Sequence, residues 1–346
     1  MTDSLPSEPG PSHSHEPAEA APSRAGFPVL LFLVPGGFAA VVVLVWWTVG
    51  WLLQQRTDPR RLVRELLPPH TATWQQAHAL AELLRNPRYR ELKRDPEIAR
   101  GLAALLEAQL DTASMAPASI RLRVFLCRVL GEFELGDVLP ALIRAAREER
   151  QVEERDVRRA ALEAMAVLAS RCDAAQLQSH EALRETVLAA TAAAAPESAA
   201  PDELATLRAT ATFTLGALGG DWATARLEQL LSDPAPNVRF NAATGLARHG
   251  VPVAVTVLTE MLDPQNPSAV DGETTVEGRQ WKRALIITNA LRAARELAAR
   301  NPAANLEPLR QAVERLDCAD VSIAIRDAAR ETLPALTSGR ADQGRL

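Results

Sequence analysis

The chain has 346 residues, a formal net charge of −5 and three cysteines. Acidic and basic residues are interleaved, which argues against nucleic acid as a partner, because affinity for phosphates comes from clustered cationic side chains. The cysteines, Cys127, Cys172 and Cys318, are scattered and show no C-x-x-C spacing. They form neither a disulfide framework nor a zinc site and indicate a reducing compartment, and Cys127 is expected to be a small buried apolar residue.

Residues 1–26 are rich in proline and carry four acidic residues against one arginine. This segment has too little apolar surface to build a core, so we expect a disordered tail. Residues 27–53 then form an uncharged, apolar stretch. About 18 such residues suffice to cross a bilayer, and no small-residue cleavage site follows, so the stretch predicts one uncleaved transmembrane helix.

The residues after this stretch predict its orientation. Residues 54–72 are basic and include Arg56, Arg60, Arg61 and Arg64, whereas only one arginine precedes the stretch. Because basic flanks stay on the cytoplasmic side, we expect the N-terminus outside and the large C-terminal part inside the cell (inner) membrane. A short helix over residues 60–67 has arginines opposite an apolar face, so it either lies on the membrane surface as a lipid- or peptide-sensing element or serves as a linker.

From residue 73 onward the pattern is helix, short turn, helix. One helix recurs as an aliphatic residue followed by arginine, with small or aliphatic residues at +4 and +8, all on one helical face. Its five copies begin at Leu122-Arg123, Val157-Arg158, Leu207-Arg208, Val238-Arg239 and Ile325-Arg326.

Amphipathic partner helices lie between these copies, over residues 138–146, 222–231, 253–262 and 306–316. The pattern predicts an all-α fold, an α-solenoid of stacked antiparallel helix pairs over residues 73–337, followed by a disordered end at 338–346. The segments 172–202 and 263–277 are predicted to be insertions, the first partly helical and rich in alanine and the second a loop. A divergent repeat is expected around residues 281–297.

The unit at residues 215–250 resembles the HEAT repeat, in the variant found in bilin-lyase-like proteins. In that family the valine of the Asp-x-x-Val-Arg-like motif lies in the core, and the acid and arginine tie adjacent repeats together. The resemblance implies such a ladder here. Its residues would be Asp156, Arg158, Arg123, Arg208, Arg239 and Arg326.

No motif for a nucleophile elbow, a zinc protease, a phosphate loop or a dinucleotide site occurs. A HEAT-like iron hydroxylase family binds metal through several His-Glu dyads, whereas the helical domain of this chain has one, His180-Glu181, so we expect no metal and no cofactor.

Two functions are therefore kept. The preferred one is a non-catalytic, membrane-anchored scaffold that binds protein partners. The alternative is an accessory or catalytic subunit of a lyase-type modifying enzyme. Trp222 and Trp281 are plausible anchors for a partner, and packing between helices is an equally good role for either.

Overall fold

The computed structural model describes residues 43–48, 63, 65, 73–192, 201–270 and 272–341. The chain divides into two compact units, Met1–Asp58 and Pro59–Leu346. In the first, residues 43–48 are helical, and the rest of the predicted span at 27–53 lies outside the described residues. No helix within the described ranges combines the length and the apolarity needed to cross a membrane. The tail at 1–26 and the arginines at 56, 60, 61 and 64 also lie outside these ranges.

The second unit is built of two layers of α-helices. Layer one contains α1 (Trp74–Arg85), α3 (Pro117–Gly131), α5 (Arg155–Ala169), α8 (Pro201–Leu218), α10 (Pro236–Arg248), α12 (Val276–Arg300) and α14 (Ile323–Ala341). Layer two contains α2 (Pro96–Thr112), α4 (Leu139–Arg147), α7 (Glu181–Ala192), α9 (Asp221–Leu230), α11 (Val255–Met261) and α13 (Glu307–Cys318). A short helix, α6 (Ala174–Gln178), precedes α7. Each layer-two helix packs against the layer-one helix that follows it, so the predicted all-α array of helix pairs is confirmed.

Local sequence signals set the helix boundaries. Thr73 begins α1 with a capping box, in which its hydroxyl accepts from the Gln76 N–H and the Gln76 side chain accepts from the Thr73 N–H. Asp95 caps α2 by accepting from two backbone N–H groups, and Pro96 occupies the first helical position. These devices satisfy backbone donors that have no partner inside the helix.

The repeat register read from the sequence places the right residues in the core. Val157, Leu207 and Val238 are all at most 2% exposed, and so are the residues at +4 and +8 from them. Only Leu333, at +8 in the last copy, is half-buried. Cys127 is fully buried, as predicted, and burial raises the pKa of its thiol to about 12.

One prediction about the array was wrong. Residues 172–202 are not an insertion, because they contain α7, which packs against α4 and α8 and completes a helix pair. The guanidinium of Arg147 in α4 donates to the Thr186 hydroxyl of α7 at 2.7 Å, and Arg226 in α9 donates to the Thr191 hydroxyl at 3.1 Å. The helix is rich in alanine and threonine, so its apolar stripe is too weak to stand out in the sequence.

Other boundaries also differ from the expected ones. Residues 263–277 contain a short 3₁₀ helix, Pro267–Val270, before α12 begins at Val276. α14 continues to Ala341, past the expected end of the array at 337. Val63, in the segment expected to be a linker or a membrane-surface helix, is helical, 4% exposed and part of the apolar core. Its side chain is therefore not available to a membrane surface.

Glycine allows two layer-one helices to approach closely. A Cβ on Gly216 of α8 would lie 2.7 Å from the Gly245 Cα of α10, which is shorter than any real contact of this type. The same device recurs at α3 and α5, where a Cβ on Gly131 would lie 2.9 Å from the Ala164 Cα. These contacts fix how neighbouring repeats stack and so shape the outer face of layer one.

Candidate functional site on the outer face of layer one

Three of the arginines expected to form a ladder bond to the following repeat. Arg123 of α3 pairs with Glu154 just before α5 at 3.0 Å. Arg208 of α8 pairs with Asp233 before α10 at 3.1 Å, and Arg239 of α10 pairs with Glu260 of α11 at 2.7 Å.

The remaining ladder candidates have other contacts. Arg158 donates to the Ala146 carbonyl oxygen at 3.1 Å and pairs with Glu149 at 2.7 Å, both within its own helix pair. Asp156 pairs with Arg159 one turn later in the same helix, not with a neighbouring repeat. Arg326 is half-buried near the start of α14, where its backbone N–H donates to the Ser322 carbonyl.

A second set of bonds between repeats, not predicted from the sequence, lies at the C-terminal ends of the layer-one helices. The Arg171 guanidinium, after α5, donates to the Gly131 carbonyl at the end of α3 at 3.3 Å. His249, after α10, lies with Nε2 2.9 Å from the Gly216 carbonyl oxygen of α8, and Asn301 donates to the Gly250 carbonyl at 3.0 Å. A polar side chain one or two residues past each helix end is the only signal for them, and many helices end in this way.

Two buried glutamates hold the N-terminal half together. Burial alone raises the pKa of Glu132, but bonds from Arg171 and Arg85 and the charge of Lys93 outweigh burial, so this pKa lies below its ordinary value. Burial likewise raises the pKa of Glu154, and bonds from Arg150 and Arg123 outweigh it, so this pKa is also lowered.

These lowered pKa values predict how stability depends on pH. A carboxyl group whose pKa is lower in the folded than in the unfolded state stabilises the fold above its unfolded pKa, about 4.3 for glutamate. That contribution is lost as the pH falls through the folded pKa. We therefore expect the free energy of unfolding to be nearly constant from about pH 7 to pH 5 and to fall steeply below about pH 4.

Urea unfolding followed by circular dichroism across this pH range would measure the effect. The variant Glu132→Gln should be less stable at neutral pH and should show a shallower acid limb. If the free energy of unfolding of that variant fell as steeply at acid pH as that of the unmodified protein, groups other than Glu132 would be responsible for the acid sensitivity.

An open cleft on this face lies across α8, α10 and α12 and has a volume of about 650 Å³. Each helix contributes side chains at intervals of three or four residues, which is the spacing that places them on one helical face. We call this cleft the α8–α12 groove. Its central residues are Phe213, Asn241, Arg248, Trp281, Leu285 and Asn289.

Large apolar side chains stand exposed in the α8–α12 groove. Trp281 is 68% exposed, and Leu285, one turn later, is 43% exposed. Phe213 on α8 is 42% exposed. Trp222 is different, because it is half-buried on α9 and packs against the core. The structure thus separates the two tryptophans and leaves Trp281 as the candidate anchor.

Charged side chains around the groove form ion pairs or hydrogen bonds with neighbouring residues. Lys282 lies 3.8 Å from Glu273, and Arg248 donates to the Gly216 carbonyl at 3.2 Å. Asn241 donates to the Ala209 carbonyl at 2.8 Å, so even this amide is tied to the adjacent helix. The result is an apolar and amide-lined surface on a rigid support, which suits binding of a polypeptide better than acid–base chemistry.

The part of the chain that the structure describes contains no group of three or more His, Cys, Asp or Glu side chains placed to hold a metal ion. His180, in the His-Glu dyad of the helical unit, instead caps α7, since its Nδ1 accepts from the Leu183 N–H at 3.3 Å.

Comparison with known proteins gives a class for part of the chain. Residues 193–272, which include α8 to α11 of the groove region, match the family of HEAT repeats. No curated protein matches the chain. Among solved structures, human deoxyhypusine hydroxylase in complex with glycerol is 17% identical, with 84% of this chain and 99% of that chain covered. The TM-score of 0.27 is too low for this likeness to carry an argument.

Proposed function

We propose that this protein is a non-catalytic scaffold that binds protein partners through the α8–α12 groove. The observation that carries the proposal is the set of exposed side chains of Trp281 and Leu285 on α12 and Phe213 on α8, which line one groove. Exposed aromatic side chains on a rigid surface supply most of the affinity in protein interfaces, because their burial releases much apolar area at little cost in side-chain entropy. Stacked helix pairs also present long surfaces to extended partners.

The scaffold is further proposed to be membrane-anchored. The uncharged stretch at residues 27–53 and the four arginines after it support a single-pass helix with the HEAT-repeat unit in the cytoplasm. Protease added to intact cells tests the orientation. The C-terminus should resist digestion until the cells are permeabilised, and its digestion in intact cells would contradict the proposal.

Substitution of Trp281 tests the groove. We expect Trp281→Ala to remove most of the cross-linked protein partners captured by the full-length protein in cells and identified by mass spectrometry. Alanine cannot replace the large apolar contact, and a central aromatic anchor is commonly worth about 2 kcal/mol or more, a loss of roughly thirtyfold in affinity. Because Trp281 is 68% exposed, the fold should be unaffected.

A matched control is Ile323→Ala, which truncates an apolar side chain that is 69% exposed at the start of α14, outside the groove. This variant should retain the same partners as the unmodified protein. Equal capture by the Trp281→Ala variant would remove the groove from the proposal. Capture that requires an added small molecule would favour the modifying-enzyme alternative.

A further inference from the structure

A second surface lies on layer one at the other end of the array, on α1 and α3. The Trp74 and Phe125 rings stack with centroids 5.8 Å apart, and the exposed His78 ring lies 4.8 Å from the Phe125 ring. Two guanidinium groups cover this stack. Arg121 lies 5.3 Å from the Trp74 ring centre, and Arg128 lies 5.2 Å from that of Phe125. We call these five residues the α1–α3 platform.

The two arginines of the α1–α3 platform differ from most of the arginines that the structure describes. Arg159 on the neighbouring α5 pairs with Asp156 and Glu163, and Arg85 on α1 pairs with Glu82 and Glu132. Among the described residues, no carboxylate lies within ion-pair distance of Arg121 or Arg128. Their positive charge is balanced only by the faces of aromatic rings.

This arrangement leaves the guanidinium groups prepared for an anion. Stacking on a ring uses the face of the guanidinium and leaves its N–H groups, which point outward in the guanidinium plane, able to donate to a carboxylate in a bidentate manner. The ring also holds the side chain in place, so little side-chain entropy remains to be lost when a ligand binds.

The spacing of the two arginines suggests the form of the ligand. They are seven residues apart on α3, which corresponds to about 10 Å along a helix. Carboxylates three residues apart on a polypeptide in the extended polyproline II conformation lie on one side of it, about 9 Å apart. We propose that the α1–α3 platform binds an acidic, extended segment of a protein partner, with one carboxylate on Arg121 and the next on Arg128. This surface is separate from the α8–α12 groove and is tested independently of it.

The test uses purified full-length protein in detergent and a fluorescein-labelled twelve-residue peptide with glutamate at every third position. Binding is followed by fluorescence anisotropy. The double variant Arg121→Gln/Arg128→Gln should weaken binding at least tenfold, and a peptide with glutamine at the same positions should bind neither protein. The double variant Arg121→Lys/Arg128→Lys should bind the glutamate peptide with an affinity between those of the unmodified protein and the glutamine double variant. Lysine keeps the positive charge but lacks the planar guanidinium that can donate two parallel hydrogen bonds.

The matched control is Arg100→Gln/Arg315→Gln, which removes the same charge from exposed positions on α2 and α13. Equal weakening in the two glutamine double variants would overturn the proposal, because it would show unspecific attraction to net charge. Tight binding of the glutamine peptide would overturn it as well. Loss of binding to phosphatidylserine vesicles without loss of peptide binding would assign the surface to a membrane instead. Unchanged thermal unfolding of each variant confirms that the fold is intact.

Discussion

Val238→Asp is expected to destabilise the helical array by about 4 kcal/mol or more. Val238 is fully buried in α10, where the residues at +4 and +8, Ala242 and Leu246, are fully buried too. An aspartate there must either remain charged in an apolar core or be protonated at a high cost. Urea unfolding followed by far-UV circular dichroism measures the loss.

Val253→Asp is the matched control, because it makes the same substitution at a valine that is 49% exposed in the turn before α11. The free energy of unfolding of this variant should lie within about 0.5 kcal/mol of that of the unmodified protein. If the two variants unfolded at the same urea concentration, the assignment of Val238 to the repeat core would be wrong.

Glu154→Gln is expected to cost about 3 kcal/mol, because it removes the negative charge from a buried ion pair. The side chains of Arg123 and Glu154 are 0% and 1% exposed, so the guanidinium would remain buried without its counter-charge. Its bond to the Ser114 carbonyl oxygen at 2.6 Å would persist but does not neutralise it. Chemical unfolding at pH 7 measures this cost, which should shrink only as the pH falls through the lowered pKa of Glu154 in the folded state, because below it the carboxyl is protonated in both states.

Two further variants separate the buried pair from a general effect of glutamine. Glu181→Gln breaks an exposed pair with Arg184 and should change stability by less than about 1 kcal/mol. Arg123→Met in the Glu154→Gln background should recover part of the loss, since it removes the buried charge itself. A double variant less stable than Glu154→Gln alone would mean that Arg123 stabilises the fold through other contacts.

The sequence predicted the architecture well because the repeat core is a local pattern. Val157, Leu207 and Val238 each start a stripe at +4 and +8 that the structure buries, and this needs only helical periodicity. α7 was assigned to a partly helical insertion and not to a helix pair of the array, for the opposite reason. Its buried residues include Thr186 and Thr191, whose hydroxyls accept bonds from arginines 39 and 35 residues away, and a window of one helix contains no sign of that.

The candidate site was predictable only in part. Nothing in the residue pattern distinguishes Trp281 from Trp222 as an exposed anchor, because exposure is decided by which helix covers each ring. The α1–α3 platform was not predicted either, since the two helices that form it are separated by α2 and meet only in the folded array. Of the predicted ladder, Arg123, Arg208 and Arg239 bond across repeats, whereas Asp156 bonds within its own helix.

The bonds of layer one have a consequence for how this unit opens. Both sets, the ion pairs near the helix starts and the carbonyl bonds near the helix ends, join a repeat to its immediate neighbour in the array. When repeats bond only to their immediate neighbours, the array behaves as a nearly one-dimensional system. Each internal repeat is then stabilised by two neighbours and each terminal repeat by one. Amide hydrogen exchange should therefore be slowest in α5, α8 and α10 and should quicken stepwise towards α1 and α14, so that the groove region and the platform open at different free energies.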